Sequence, residues 1–391
     1  MTTSPNRVRL AILGAAIFVS MLGVGIIVPF LPIYAQTMGA TGLTLGLIFS
    51  AFSLARAVAM PLVGALSDRH GRKRFIVAGL GGYSVVALAM ITADSAWDII
   101  LLRALHGVFA AMVLPVSMAL VADISPSGRE GRTFGSFNTA LLLGMGMGPF
   151  LGGAIYDYFG VAANFIIMAA MSAVSLLMIA LKIKDPKAVQ EPANKNSAWT
   201  NQLILLKDRQ IWGICLCRAG NAAAMGCLLA FLPVLSQEKG LSSIKVGLLL
   251  GANMFVMTAL QSLAGRLADK WPRALMAGSA QLAIALSRMM LPLAGGFETL
   301  LILVMLDGIG AGMVIPPLSA LAVSHGRRLG SGMGVVMGLL TLAMSVGFFS
   351  GPLLAGLVTD IWNINAAFWL AGTLAGLGAV AVLLMTKSKV D

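Results

Sequence analysis

The stretch Gly64-Ala-Leu-Ser-Asp-Arg-His-Gly-Arg-Lys-Arg74 places one acidic and four basic residues between two long apolar segments. The flanking segments, at about 43–66 and 74–94, are each long enough to cross the hydrocarbon of a bilayer, which takes about 20 residues. A charged stretch in that position predicts a short loop at the membrane surface, joining two transmembrane helices.

The same alternation continues along all 391 residues, of which 58% are hydrophobic and only 11% are charged. Soluble domains carry about 25% charged residues, so most of this chain must face something other than water. The expected fold class is an all-α membrane protein with twelve transmembrane helices. The predicted spans are 10–35, 43–66, 74–94, 98–122, 134–156, 162–182, 210–234, 244–267, 274–293, 298–322, 331–357 and 366–386.

Polar residues are concentrated in one long segment, 184–207, between the sixth and seventh spans. We interpret it as a cytoplasmic linker. It separates an N-terminal bundle of six helices, residues 1–183, from a C-terminal bundle of six, residues 208–391. The apolar run after Arg7 and Arg9 is too long for the core of a signal peptide, and we assign it to the first span.

Basic residues lie mainly on one side of this topology, which holds 21 of the 27 Lys and Arg residues. Cytoplasmic loops are enriched in Lys and Arg, so both termini are expected in the cytoplasm. The net charge of +12 is thereby attributed to membrane topology rather than to nucleic-acid binding. The exceptions are Lys239 and Lys245 on the opposite side and Arg56, Arg103, Arg218 and Arg288 inside spans.

The two halves repeat each other in the same direction. Phe30-Leu31-Pro32 reappears 201 residues later as Phe231-Leu232-Pro233, and Asp157 is matched 203 residues later by Asp360. A parallel repeat of six spans predicts two bundles related by a pseudo-two-fold axis along the membrane normal, with a binding pocket between them at mid-depth.

Several motifs resemble the major facilitator superfamily over the whole chain. Gly64–Arg74 resembles the cytoplasmic loop motif of that family, and Leu102–Gly107 resembles its motif in the fourth span, with His106 where the family often has glutamine. Gly144–Gly153 is similar to the motif of the antiporter branch, and Pro29–Pro32 to the drug/proton antiporter group. The resemblance implies a proton-coupled exporter of small amphipathic organic molecules, comparable to multidrug efflux proteins and working by alternating access.

The loop motif comprises Gly64, Asp68, Arg69, Gly71 and Arg72. We expect Asp68 to accept hydrogen bonds from the N-terminal amides of the eleventh span, near residues 330–332, because a helix N-terminus favours an anion. We expect Arg72 to pair with Asp123. Together these contacts would latch the two bundles on the cytoplasmic side. The alternative is that the charges only set the topology.

The glycines Gly144, Gly148 and Gly152 lie four residues apart on one face of the fifth span, beside Pro149 and Gly153. Small residues at this spacing allow helices to approach closely. We expect the contact to run along the boundary between the bundles and to restrict leak. Plain helix packing is the alternative.

An ionisable residue inside a membrane span costs free energy, so its presence suggests a function. Asp307 lies nine residues past Glu298, about 13 Å into its span, and is a candidate proton carrier. Its alternative is a structural partner for a nearby arginine. Arg103 and His106, one turn apart, are a candidate second proton site; a packing histidine is the alternative.

Further polar residues inside the spans are candidates for the wall of a substrate cavity. If the arginines among them face the cavity, its positive charge favours anionic or zwitterionic substrates. The candidates are Arg56, Arg218, Asn138, Asn221 and Asn253.

Other classes of function find no support in the sequence. Cys215, Cys217 and Cys227 share one apolar stretch and form neither a disulfide framework nor a metal-ligand pattern. No nucleophile–base pair and no nucleotide-binding loop is present, so an enzyme is not expected, nor is a cofactor. The expected partners are a small organic substrate, the proton and the lipid bilayer of a bacterial inner membrane, for a protein that acts as a monomer. An uptake symporter for an organic anion and a lipid or lysolipid transporter remain as alternatives.

Overall fold

A computed structural model describes residues 5–125, 130–183, 208–329 and 333–386, and this part of the chain is helical apart from short connections. It contains twelve helical segments that are long and apolar enough to cross a membrane. Each corresponds to one predicted span, so the prediction of an all-α protein with twelve spans is confirmed. The predicted linker, 184–207, lies outside the described residues.

The first span consists of two helices, and each later span is one long helix. Short 3-10 turns at Met90–Thr92 and Leu291–Leu293 complete the third and ninth spans. The helices are α1 Pro5–Ile27, α2 Leu31–Thr37, α3 Gly42–His70, α4 Arg72–Ala89, α5 Ala96–Ile124, α6 Glu130–Phe159, α7 Val161–Lys182, α8 Arg209–Glu238, α9 Ser243–Ala268, α10 Arg273–Met290, α11 Phe297–Arg328, α12 Met333–Ile361 and α13 Ile364–Met385.

The break between α1 and α2 coincides with Pro29. Proline has no amide hydrogen for a helical bond, and it disfavours the helical conformation of the residue before it. The second half of the chain has Ala230 at the equivalent position, and there α8 continues through Pro233 without interruption. The break therefore follows Pro29, which the second half lacks, rather than Pro32, which both halves share.

The chain divides into two compact units. Unit 1 takes its residues from Met1–Ala40, Ala51–Gln190 and Gly240–Gly251, and unit 2 takes its residues from Thr41–Ser50, Glu191–Lys239 and Ala252–Asp391. The first turns of α3 thus belong to unit 2, and the first turns of α9 belong to unit 1.

The two units have the same internal packing. In unit 1, α1 packs against α6 and α7, and α4 packs against α5 and α7. In unit 2, α8 packs against α12 and α13, and α10 packs against α11 and α13. These are equivalent pairs under the sequence repeat, so the repeat seen in the residues corresponds to a repeat in the packing.

The glycine motif of the fifth span forms the contact between α6 and α1. A Cβ atom at Gly144 would lie 2.5 Å from the carbonyl oxygen of Phe18, and one at Gly148 would lie 2.5 Å from Cα of Gly25. A Cβ at Gly152 would overlap the carbonyl oxygen of Ile26. We expected this face to lie along the boundary between the bundles. Gly144, Gly148 and Gly152 instead contact the first span of their own bundle, whereas a Cβ at Gly153 would overlap the carbonyl oxygen of Ser243 at the start of α9.

Candidate functional site

Asp307 lies in α11, fully buried, and the structure surrounds it with donors from two other helices. Arg288 of α10 donates from Nε to Oδ1 at 2.6 Å and from Nη2 to Oδ2 at 2.8 Å. Asn253 of α9 donates from Nδ2 to Oδ2 at 2.9 Å and also to the carbonyl oxygen of Val304 at 2.8 Å. We call Asp307, Arg288 and Asn253 the acidic cluster.

The acidic cluster is inaccessible to solvent, with 1% of the Arg288 side chain and none of the Asp307 side chain exposed. Removing one member of a buried ion pair leaves the other charge uncompensated, which is strongly destabilising. Arg288 supplies the arginine partner that the sequence left open for Asp307. Asn253, which we predicted to line the substrate cavity, is fully buried, with its amide against the Asp307 carboxylate.

Arg103 and His106 form a second buried cluster in unit 1, with 4% and 3% of their surfaces exposed. Nη1 of Arg103 lies 3.1 Å from Nδ1 of His106. A guanidinium can only donate, so Nδ1 accepts and a neutral imidazole carries its hydrogen on Nε2. Within the described part of the chain, His106 Nε2 has no hydrogen-bond partner.

Aromatic rings enclose this pair. Tyr83 of α4 and Phe52 of α3 both meet the His106 ring edge to face, with centroids 4.5 and 5.3 Å away. The guanidinium carbon of Arg103 lies 4.2 Å from the centre of the Phe52 ring, a cation–π contact. The sequence indicated Arg103 and His106, but Phe52 and Tyr83 carried no signal beyond being aromatic residues in predicted spans.

Arg218 of α8 is half-buried and lies apart from the acidic cluster's ion pair. Its Nη2 lies 2.9 Å from Sδ of Met344, and its Nη1 lies 3.5 Å from Oδ1 of Asn221. Asn221 in turn donates from Nδ2 to Oε1 of Gln281 at 3.4 Å. Gln281 belongs to α10 and is fully buried. We call Arg218, Asn221 and Gln281 the amide chain.

The remaining cavity candidates stay outside these clusters. Arg56 of α3 is half-buried. Asn138 of α6 is exposed. No group of three or more His, Cys, Asp or Glu side chains that could hold a metal ion occurs in the described residues.

The Gly64–Arg74 loop motif is shorter as a loop than the sequence suggested, because α3 continues to His70 and α4 begins at Arg72. Only Gly71 separates them, with φ of 94°, a region that favours glycine. Arg72 pairs with Asp123 through Nε and Oδ2 at 2.7 Å, as the sequence predicted, and with Asp68 at 3.3 Å.

Apart from the pairing of Asp68 with Arg72, the other members of this motif have little contact with their surroundings. Asp68 and Arg69 are exposed, and a Cβ added to Gly64 would meet nothing within 4 Å. The proposed partners of Asp68, residues 330–332, lie outside the described residues.

Two aspartates that the sequence matched in the repeat, without assigning them a role, both bind helix N-termini. Within unit 1, Asp157 of α6 accepts from the amides of Ser243 and Ile244 at 3.2 and 2.9 Å. Within unit 2, Asp360 of α12 accepts from the amides of Gly42 and Leu43 at 2.6 and 2.9 Å. Each carboxylate satisfies amides that have no partner within their own helix.

The chain is similar in sequence to a known protein family and to several known proteins. A sequence profile of the Major Facilitator Superfamily matches residues 13–337. An uncharacterized MFS-type transporter of Methanocaldococcus jannaschii is 31% identical over 354 residues, covering 89% of this chain and 90% of the relative. Multidrug resistance protein 2 of Bacillus subtilis is 27% identical over 381 residues, covering 95% and 94%. Quinolone resistance protein NorA of Staphylococcus aureus is 25% identical over 375 residues, covering 94% of each chain.

Solved structures extend the likeness to the fold. The nucleoside transporter NupG superposes with a TM-score of 0.83 at 14% identity, covering 97% of this chain and all 100% of that one. A bacterial homologue of the human lysosomal transporter Spinster gives a TM-score of 0.77 at 14% identity, covering 98% and 95%. At these identities the likeness concerns the fold alone.

Proposed function

Because the chain belongs to the Major Facilitator Superfamily, we propose that it is a proton-coupled exporter of small amphipathic organic compounds that works by alternating access. The family consists of secondary transporters and not of enzymes, and this member is a multi-pass membrane protein with twelve spans. Direction, coupling ion and cargo are the proposed parts.

The observation that carries the proposal is the buried Asp307 carboxylate with its two charged hydrogen bonds from Arg288. An ionisable residue within a span is a functional candidate by default, because a charge in hydrocarbon is costly. Asp307 is held by Arg288 of α10 and Asn253 of α9 while itself belonging to α11. A change in the charge of Asp307 therefore alters contacts among three helices.

Proton binding at Asp307 would change this cluster in a defined way. A protonated carboxyl no longer neutralises Arg288, and it replaces one acceptor position by a donor. The guanidinium would then need another acceptor or access to water, so the helices that hold it must rearrange. An inward proton supplies about 2.3 kcal/mol per 100 mV of membrane potential, which biases such a rearrangement without ATP.

Arg103 and His106 are proposed as a second proton-responsive pair. Nδ1 of His106 already accepts from Arg103. A proton placed on Nδ1 would displace that hydrogen bond and set two positive groups against each other. Proton uptake there requires Arg103 to move away from His106, which again links protonation to side-chain position.

The cargo class is supported by two relatives, a multidrug resistance protein and a quinolone resistance protein. Their identity to this chain is 27% and 25%, so the class of cargo is carried over and the particular compound is not. The proposed location is the cytoplasmic membrane of a bacterium, with both termini in the cytoplasm and the monomer as the transporting form.

Reconstitution into vesicles with an imposed pH gradient tests the proposal. We expect amphipathic compounds to move against the inward proton gradient in the wild-type protein, and to stop moving when an ionophore collapses that gradient. The variant Asp94→Asn, which changes an exposed carboxylate, should behave as the wild type does. Movement of substrate in the same direction as the proton would instead identify a symporter. Movement of a labelled lipid between leaflets, independent of the gradient, would identify a lipid transporter.

A further inference from the structure

Two arginines that lie far from the ends of their membrane-spanning helices in unit 2, Arg218 and Arg288, have different surroundings. Arg288 has a carboxylate partner, Asp307, at 2.6 Å. Arg218 has no carboxylate within ion-pair distance among the described residues, and its recorded partners are the Met344 thioether and the Asn221 amide oxygen. After Arg288 and Asp307 cancel, Arg218 leaves a positive charge within the described spans of unit 2.

The position of Arg218 makes this charge unusual. It lies nine residues past Arg209, the first residue of α8, and so about 14 Å along the helix axis. A long basic side chain near a helix end can extend its charged group to the aqueous interface. Arg218 lies too far along α8 to do this easily. A guanidinium held there, with a thioether and an amide oxygen at 3.5 Å as acceptors, is poorly compensated.

Arg218 determines how the side-chain amides of Asn221 and Gln281 are oriented. The guanidinium only donates, so the Asn221 oxygen must face it, and the Asn221 amino group then faces the Gln281 oxygen. The Gln281 amino group is consequently left at the far end of the chain. Its Nε2 is buried and has no hydrogen-bond partner among the described residues.

The cluster therefore has a surplus of donors at both ends and lacks acceptors. Buried polar groups are nearly always hydrogen-bonded, so an unsatisfied one calls for an explanation. The unsatisfied amino group of Gln281 follows from the orientation that Arg218 imposes on the two amides. The uncompensated charge of Arg218 is answered by a ligand that brings oxygen acceptors and negative charge.

We propose that Arg218, positioned by Asn221 and Gln281, binds the carboxylate of an organic anion carried by this transporter. A carboxylate matches the planar fork of a guanidinium and accepts two hydrogen bonds from it. Met344, beside the guanidinium, offers a flexible and polarizable apolar surface to the rest of the molecule. The inference rests on the proposed function for transport itself and adds the charge class of the substrate.

Equilibrium binding to the purified full-length protein tests this directly. The probes are three carboxylates, each with its neutral methyl ester: decanoate, naphthylacetate and pyrenebutyrate. We expect at least one carboxylate to bind the wild-type protein more tightly than its ester. In Arg218→Gln that carboxylate should lose about tenfold or more in affinity while its ester keeps its affinity, because a hydrogen-bonded charge is removed. The carboxylate affinity of Arg218→Lys should lie between those of the wild type and Arg218→Gln, since lysine keeps the positive charge and lacks the planar fork of the guanidinium.

Control variants separate a binding role from a structural one. Arg266→Gln removes an exposed arginine near the end of α9 and should leave the affinities unchanged. Gln281→Leu should weaken the carboxylate and spare the ester. The proposal is overturned if no carboxylate binds better than its ester, or if Arg218→Gln weakens both members of a pair equally. Binding needs no proton gradient, so carboxylate selectivity with no proton-driven export would overturn the proposed function alone.

Discussion

The guanidinium of Arg288 and the carboxylate of Asp307 form a two-bonded ion pair, at 2.6 and 2.8 Å, from which solvent is excluded. The two residues lie on neighbouring helices, α10 and α11, and Asn253 of α9 completes the contact. The pair is electrically neutral as long as Asp307 is ionised. The contribution of this ion pair to protein stability and the proposed role of Asp307 in transport can be measured in separate experiments.

Removing one member of this pair should destabilise the protein more than removing both. We expect Arg288→Leu to lower the free energy of unfolding by about 3–5 kcal/mol, because it leaves a buried carboxylate unpaired. The double variant Arg288→Leu/Asp307→Leu should recover most of that loss. Denaturant unfolding in detergent provides the measurement. A double variant as unstable as the single one would mean that the ion pair is not the cause.

The His106 ring should be neutral, with its hydrogen on Nε2, because Arg103 donates to Nδ1. Nitrogen NMR of histidine-labelled protein distinguishes the two neutral tautomers and the charged ring. We expect one protonated nitrogen, assigned to Nε2, and a change in this signal in Arg103→Gln. A ring protonated on both nitrogens in the wild-type protein would contradict the hydrogen bond described above.

The contact between α6 and α1 should not tolerate a methyl group. Gly152→Ala would place Cβ against the Ile26 carbonyl oxygen, and we expect it to destabilise the protein by about 1–3 kcal/mol through overpacking. Gly135→Ala in the same helix is the matched control, because a Cβ there meets nothing within 4 Å. That change should be neutral or stabilise by up to about 1 kcal/mol. Equal effects in thermal unfolding would argue against close packing at Gly152.

Asp208 should make stability depend on pH in the acid range. It caps α8 and accepts a hydrogen bond from His325 at 3.0 Å. Burial on its own would raise the pKa of Asp208, but hydrogen bonds from the Ile211 amide, His325 and the Gln210 amide outweigh it, and the pKa lies below its ordinary value. Such a carboxylate stabilises the folded state above its unfolded pKa and loses that effect as pH falls through its folded pKa.

Asp208→Asn isolates this charge, because asparagine caps a helix about as well as aspartate. We expect the variant to melt below the wild type at pH 7, and the difference to shrink as the pH falls below about 4. Asp94→Asn, at an exposed carboxylate, corrects for the change in net charge. A melting difference that stays constant from neutral to acid pH would show that the charge of Asp208 does not stabilise the fold.

Local rules account for the parts of the site that the sequence predicted. Arg103 and His106 are three residues apart, and residues at that spacing are neighbours on a helix surface. The lengths of the apolar segments predicted the spans. The pairing of Arg72 with Asp123 followed from the resemblance to a known motif. Each of these inferences uses information contained within one segment or one motif.

Contacts between distant segments account for what was missed. The pairing of Asp307 with Arg288 depends on the register of α10 against α11, and Asn253 joins it from a third helix. The period of a helix shows that Gly144, Gly148 and Gly152 share a face, but it does not show which helix that face meets. Asp157 and Asp360 were recognisable as repeat equivalents, yet their partners at the starts of α9 and α3 are separated from them by 86 and 318 residues.

The central claim, that Asp307 carries the transported proton, is tested most directly by Asp307→Asn in reconstituted vesicles. Two assays are run on the same preparation: accumulation of substrate driven by a pH gradient, and exchange of labelled for unlabelled substrate at equal pH. We predict that gradient-driven accumulation is lost while exchange persists, because an amide binds no proton but still accepts a hydrogen bond from Arg288. Accumulation at the wild-type level in Asp307→Asn would contradict the account.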